Sequence, residues 1–384
     1  MARWIGFLVV FLSVYGLLHL YMLIKVRRAL YLDGLSFILM IVVLAFLMFA
    51  PIQARIMTAH GYPTLGPVMT WIGYVWMGYI FIFICIAAPL DLYHLFLGGL
   101  QQLFKTDWTG IMLMRRHNLA LTSFVAAGLM VYGAFSAYRV GTERVTLYTV
   151  KIPAHVERVR IVQISDLHLG TMIYPGRLTP ILDAIRRAQP DILVSTGDLI
   201  DGDLSSISDD VQLVKALPAP LGKFAVTGNH EYYHGLKDSL ALTEKAGFQV
   251  LRNTGIVVQD LVAIAGVDDP AAGPDPEAEA NALVGLPPDK FTILLKHRPQ
   301  VDPASLGKFD LQLSGHTHRG QIFPFNFVVR FSYPLLDGLY EIAPAHYLYA
   351  SRGTGTWGPP VRLLAPPEIT IIDLFPVTRP VPKS

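Results

Sequence analysis

The sequence predicts a two-part chain: an N-terminal all-α membrane bundle of four spans, then a C-terminal α/β domain of mixed β-sheets between helices. Three observations predict it. Four uncharged apolar runs occur before residue 140. Hydrophobic residues make up 52% of the 384 and charged residues only 16%, well under the ~25% charge of a soluble domain. After Tyr138 the pattern changes to short β-rich runs, each ending at a polar residue.

The apolar runs are Ile5–Ile24, Gly34–Ile52, Pro67–Leu90 and Asn118–Tyr138. Each reaches the ~20 residues that a helix needs to cross ~30 Å of hydrocarbon. Residues 1–140 therefore read as a transmembrane domain, because so many apolar runs leave too few polar residues to cover a soluble one. A cleaved signal peptide at the first run is disfavoured by its length and by the lack of a small-x-small exit. Arg27-Arg28 follows an apolar span instead of preceding one, so it is no twin-arginine signal. Lys25, Arg27 and Arg28 lie between spans one and two, and Lys105, Arg115 and Arg116 between spans three and four. The loop between spans two and three offers Arg55 alone. The positive-inside rule puts the two basic loops in the cytoplasm and both termini, with the C-terminal domain, outside. Arg139, Arg144 and Lys151 pull the other way.

A net charge of +2 argues for no polyanionic partner such as nucleic acid. The one cysteine, Cys85, stands in an apolar run. That rules out an intrachain disulfide and a Cys-rich zinc site.

Residues 139–158 alternate apolar and polar side chains, so 141–158 read as linker and first strand, and 159–376 as the second domain. A pattern then repeats. Arg160–Ser165 leads to Asp166 and His168, Ile192–Gly197 to Asp198, and Phe224–Gly228 to Asn229 and His230. Thr292–Lys296 leads to His297, and Leu311–Gly315 to His316 and His318. Runs of this length and type are buried strands. Helical segments such as Arg177–Gln189 and Leu236–Ala246 alternate with some of them, which predicts an α/β sheet of mixed direction. Ligands of open α/β sheets bind beyond the carboxyl ends of the strands, so the polar groups converge there. The glycines before Asp198, Asn229 and His316 are expected to let the backbone turn sharply.

Besides His230, the set holds two aspartates, one asparagine and four histidines, and no thiolate. Carboxylate plus imidazole without sulfur suits divalent ions, Mn²⁺ first and Fe or Zn²⁺ after it. Seven ligands are too many for one ion and fit two that share a bridging carboxylate. Two ions ~3.5–4 Å apart clamp a phosphoryl group and lower the pKa of a bound water towards ~7.

Asp166-Leu-His168, Gly197-Asp198, Gly228-Asn229-His230-Glu231, His297 and Gly315-His316-Thr317-His318 resemble, in order, the five blocks of the calcineurin-like metallophosphoesterases. Arg319-Gly320-Gln321-Ile322 and the four spans resemble its membrane-associated bacterial-type branch. The resemblance implies an α/β metallophosphoesterase domain, and a bacterial inner membrane as location. It implies that Asp166, His168 and His318 bind one metal, that Asp198 bridges, and that Asn229, His297 and His316 bind the second. His230 would face the leaving-group oxygen as general acid, oriented by Asp201. The phosphoprotein phosphatase branch has an arginine where this chain has Gly202, which puts a phosphoprotein substrate in doubt.

Each residue alone has a bland reading: a lone histidine is usually a core or surface residue, and Asp198 is a reasonable N-cap or turn residue. Those readings fail jointly. Gly353-Thr354-Gly355-Thr356-Trp357-Gly358 matches a dinucleotide fingerprint by letter, but Pro359-Pro360 forbids the helix it needs. A glycine-rich loop near the metals, with Arg352 meeting substrate, is the better reading. Asp268–Asp289 reads as a surface excursion between strands. The aromatic stretch Phe323–Tyr340 is either a core strand pair or an apolar lip against the bilayer or an acyl chain. In the second case, charges at Phe325 and Phe327 impair lipid substrates more than soluble ones. The function expected is hydrolysis of a phosphomonoester, phosphodiester or pyrophosphate, with a lipid-linked substrate favoured by the anchor. The rival is a non-catalytic membrane receptor or transport component that binds phosphate or lipid through its metals. Oligomeric state is not legible.

Overall fold

The computed structural model describes residues 2–62, 64–170, 172–173, 175–201 and 207–377. The chain divides into two compact units, Met1–Ala134 with Gly358–Val361, and Phe135–Trp357 with Arg362–Ser384.

Four helices open the chain: α1 (Ala2–Leu30), α2 (Gly34–Ala59), α3 (Leu65–Phe104) and α4 (Arg115–Tyr138). All are long and apolar enough to cross a membrane, and the chain is a membrane protein on that ground. Their apolar side chains face outward, as at Leu95 and Phe124, where lipid replaces water as solvent. α2 meets α3 through small residues: a Cβ on Gly73 would lie 2.9 Å from Pro51 N, the close backbone approach typical of packing in lipid. Lys25 of α1 and Asp91 of α3 pair with each other. Lys25 Nζ lies 2.6 Å from Asp91 Oδ1, and Tyr21 donates to Asp91 Oδ2 at 2.5 Å. Such pairing is what makes a charge tolerable near hydrocarbon.

The second unit runs β1 (Gly141–Thr149), β2 (Val159–Ile164), α5 (Pro175–Ala188), β3 (Ile192–Ser195), α6 (Ser208–Lys215) and β4 (Lys223–Ala225). α7 (Asn229–Tyr233), α8 (Leu236–Lys245), β5 (Gln249–Val250), β6 (Thr254–Val258), β7 (Val262–Val267) and α9 (Ala278–Leu283) follow. The chain closes with β8 (Phe291–Lys296), β9 (Leu311–Ser314), α10 (Asn326–Ser332), β10 (Gly338–Ala343), β11 (His346–Ala350) and β12 (Glu368–Pro376). One sheet has the order β1-β12-β2-β3-β4-β5 and the other β10-β11-β9-β8-β7-β6. Both are mixed. β2 to β5 run parallel while β12 is antiparallel to β2. β7, β8, β9 and β11 run parallel, with β6 and β10 antiparallel at the edges.

The inner faces pack on each other through Ile161, Ile192, Val194, Ile264, Ile293 and Leu313. The outer face of the first sheet is covered by α5 and α6 through Leu178, Leu182, Ile185 and Val211. Strands buried on both faces carry near-continuous apolar runs, which is why RIVQI and TILLK were readable as strands.

Two expectations change here. The stretch 323–340 is no core strand pair: it holds α10, and strand begins only at Gly338. The excursion 268–289 does connect β7 to β8, but α9 within it buries Ala282 and Leu283 against Leu294 and Phe309. Ala278 and Ala282 are core, while Ala272 and Ala280 are exposed.

Candidate metal centre

Each of five strands hands over a polar residue at its carboxyl end. Asp166 and His168 follow β2, Asp198 and Asp201 follow β3, and Asn229 and His230 follow β4. His297 follows β8, and His316 and His318 follow β9. The structure brings all nine together. His168 Nε2 lies 3.3 Å from His318 Nε2, which is 3.3 Å from Asp166 Oδ1. Beside them, His297 Nε2 is 3.3 Å from Asp198 Oδ2, 3.2 Å from Asn229 Oδ1 and 3.1 Å from His316 Nδ1. Asp198 Oδ2 also lies 4.0 Å from His168 Nε2, so one carboxylate oxygen faces both groups.

These residues fit a pair of cations. Asp166 and Asp198 are 0% and 2% exposed, and buried carboxylates need compensating positive charge. Among the described residues no lysine or arginine forms an ion pair with either; imidazole nitrogens face them instead. Neighbouring ring nitrogens at 3.1–3.3 Å can share only one proton per pair, whereas their lone pairs can converge on an ion. Burial opposes ionisation of Asp198, but His297 and His230 hold its carboxyl well below the usual range. Burial likewise lowers His297, yet Asp198 outweighs it and pushes the imidazole up to about 10. The field of these carboxylates demands a positive charge at this spot. Burial and the neighbouring His297 drive His316 down to about 3, and burial drives His318 down to about 4. Both rings are held neutral, the form that donates a lone pair.

The backbone is bent to make this cluster. Asp166, His168, Asp198, His316 and His318 all have φ between 47° and 69°. That region costs a non-glycine residue ~1–3 kcal/mol and persists only where the surroundings impose it. Here they do: Asp166 N donates to Gly197 O, His168 N to Asp198 O and Gly355 N to Asp166 O, each at 3.0 Å. Gly197 does turn the chain, with φ +96°, and a Cβ there would lie 2.7 Å from both Gly228 N and His297 Nδ1. Gly228 differs from expectation. Its φ is −105°, and glycine is required because a Cβ would collide with the Asp198 carboxylate.

Around the cluster, each imidazole is oriented. His297 Nδ1 lies 2.8 Å from Thr196 O, which leaves Nε2 to face Asp198. Asp201 touches three rings: His230 Nδ1 at 3.1 Å, His234 Nε2 at 2.6 Å and His168 Nδ1 at 3.3 Å, the last off hydrogen-bond geometry. Burial would raise Asp201, but those three histidines hold it well below the usual carboxylate range. For His230, burial opposes the charged form, yet Asp198, Asp201 and Glu231 push it up to about 9. The buried Glu231 carboxylate accepts from Gly228 N, Asp198 N, Leu199 N and Ile200 N at 2.7–3.2 Å, tying the loops after β3 and β4 together.

Several contributors were not singled out from sequence. His234 is one turn beyond His230, a spacing that could have signalled it. Arg362, 0% exposed, reaches His318 Nδ1 at 3.0 Å, and nothing local to its sequence points there. Trp357 stands edge-on to His230 at 5.8 Å, and Tyr333 to His316 at 5.0 Å. The glycine-rich loop does lie at the cluster, through Thr354 N to Ser165 O at 2.7 Å. Arg352 does not face it: its guanidinium is held by Glu143 and Glu368. Gly202 lies outside the described residues.

Comparison with known proteins agrees with the geometry. The calcineurin-like phosphoesterase family matches residues 159–320. An uncharacterized metallophosphoesterase of Aquifex aeolicus (strain VF5) is 39% identical over 65% of this chain and 98% of its own length. One from Campylobacter jejuni is 35% identical over 68% of this chain and 72% of its own. A bovine transmembrane protein with metallophosphoesterase domain is 34% identical over 66% and 62%. The chain belongs to the calcineurin-like metallophosphoesterases and is a metal-dependent phosphoester hydrolase.

Proposed function

We propose that the chain hydrolyses a phosphomonoester, phosphodiester or pyrophosphate at a dinuclear centre, as a membrane-anchored enzyme. The carrying observation is the Asp198 carboxylate facing both groups of ligands. Asp166, His168 and His318 would hold one ion, Asn229, His297 and His316 the other, and Asp198 would bridge. Mn²⁺ suits this oxygen- and nitrogen-rich set best, with Fe or Zn²⁺ as alternatives. When bound, the ions supply a nucleophilic water at neutral pH and neutralise phosphoryl charge.

The chain's own groups supply the rest. His230 donates its Nδ1 proton in a hydrogen bond to Asp201 Oδ1, so the Nε2 edge is the one turned to substrate. His230 there donates a proton to the departing oxygen. Asp201 keeps the ring charged until that transfer. Trp357 limits where the leaving group can lie. The basic loops of the helical unit favour the hydrolase outside the cytoplasm, and the likeness to the membrane-associated bacterial-type branch favours a bacterial inner membrane. The anchor favours a lipid-linked phosphoester.

The test is turnover of a chromogenic phosphodiester by the purified full chain. Activity should appear with Mn²⁺, vanish on chelation and return on adding Mn²⁺. No turnover with Mn²⁺, Fe²⁺ or Zn²⁺ would contradict the proposal.

A further inference from the structure

We infer that the apolar rim formed by Phe323, Phe325, Phe327, Val328 and Phe331 enters the lipid bilayer. The metal centre would then act on phosphoesters whose apolar part stays in the membrane; this second step rests on the hydrolase reading above.

The rim is built, not incidental. Phe331 is 91% exposed, more than any other large apolar residue described. Phe327 and Val328 are more than half exposed, and Phe323 and Phe325 over 40%. Phe327 and Phe331 stand four residues apart on α10 and so share one face. A contiguous exposed apolar patch marks a protein or membrane contact.

Three observations choose the membrane. First, the rim is fastened to the metal centre. α10 follows directly on the His318 loop, and Tyr333 at its end stands against His316. Gln321, two residues before Phe323, exchanges hydrogen bonds with the Trp357 backbone at 2.7 and 3.0 Å, and Trp357 meets His230. Second, the same loop is fastened to the end of the last apolar helix. Arg177 Nη1 donates to Thr356 Oγ1 at 3.0 Å, Nη2 reaches Ala137 O at 3.4 Å, and the guanidinium lies over the Tyr138 ring. Tyr138 is where the fourth apolar run ends, so the loop that carries Trp357 is tied to the residue at which that run stops. Third, Arg319–Tyr333 carries Arg330 and Arg319, the latter 3.4 Å from Asp337 Oδ2, and no acidic residue. Aromatic side chains with flanking arginines suit an interface of anionic headgroups over acyl chains.

The single cysteine makes a direct test possible. Full-length Cys85→Ser protein carrying Phe331→Cys, Phe327→Cys or, as a distant exposed control, Val284→Cys is labelled with an environment-sensitive fluorophore. It is placed in nanodiscs of phosphatidylglycerol and phosphatidylcholine, with or without doxyl-labelled acyl chains. The rim should lie about 5–10 Å into the interface. Emission at 331 and 327 should then shift to the blue and fall roughly two-fold with doxyl lipid, while that at 284 does not. Emission at 331 like that at 284, or a blue shift without doxyl quenching as in contact with a second protein copy, would overturn the rim. Soluble phosphodiester turnover on the same samples separates the two readings. Its loss in every sample, the Cys85→Ser parent included, overturns the hydrolase, whereas turnover with no lipid quenching at 331 overturns the rim alone.

Discussion

The helical unit and the phosphoesterase unit solve opposite solvent problems with the same chemistry. In the first, large apolar side chains face out, as at Phe124, 79% exposed. The backbone is regular: among the described residues its non-glycine left-handed positions are Tyr31 and Lys105, at or just beyond helix ends. Where no water can satisfy a peptide group, the chain cannot depart from helix. In the second unit, apolar residues such as Ile161 and Ile293 are fully enclosed. Left-handed backbone recurs at the carboxyl ends of strands of both sheets, where five residues of the cluster adopt it. The difference teaches where strain can be kept: over a packed core that fixes the flanking strands.

That contrast can be broken by mutation. Glu231→Ala should have the largest structural effect, since it strands four buried amides at about 1–3 kcal/mol each. The phosphoesterase unit is then expected to melt roughly 10 °C lower or more. An unchanged melting curve would mean that the loops do not depend on that carboxylate. His230→Ala should leave metal content and melting intact and lower kcat by about 10²–10⁴-fold; unchanged kcat would remove the acid role. Ile161→Ala, at 0% exposure, should cost about 2–5 kcal/mol. Phe124→Ala should cost roughly 0.5 kcal/mol or less. Equal costs in detergent unfolding would erase the distinction between a core and a lipid-facing surface.

The same contrast governs what was legible. The four helices were readable from composition, because lipid imposes length and apolarity on contiguous residues; the helices overrun the runs, α3 by 14 residues beyond Leu90, since polar termini can remain helical in the interface. The clustering was readable because each of these polar residues follows an apolar strand run. Its support was not. Arg362 and Tyr333 meet the cluster through tertiary contacts that leave no local pattern. Arg352 was misread because its partners, Glu143 and Glu368, come from strands β1 and β12 at the far ends of the domain's sequence. The 323–340 stretch was ambiguous because aromatic residues suit a strand, a core or a membrane surface alike.

Metal content tests the central claim most directly. Mn²⁺-loaded wild type should carry two ions per chain by elemental analysis. Asn229→Ala, which removes one oxygen from the His297 group alone, should carry one, with anomalous signal remaining between Asp166, His168 and His318. A wild type that takes up a single ion, or an Asn229→Ala variant that keeps both at full occupancy, would contradict the account.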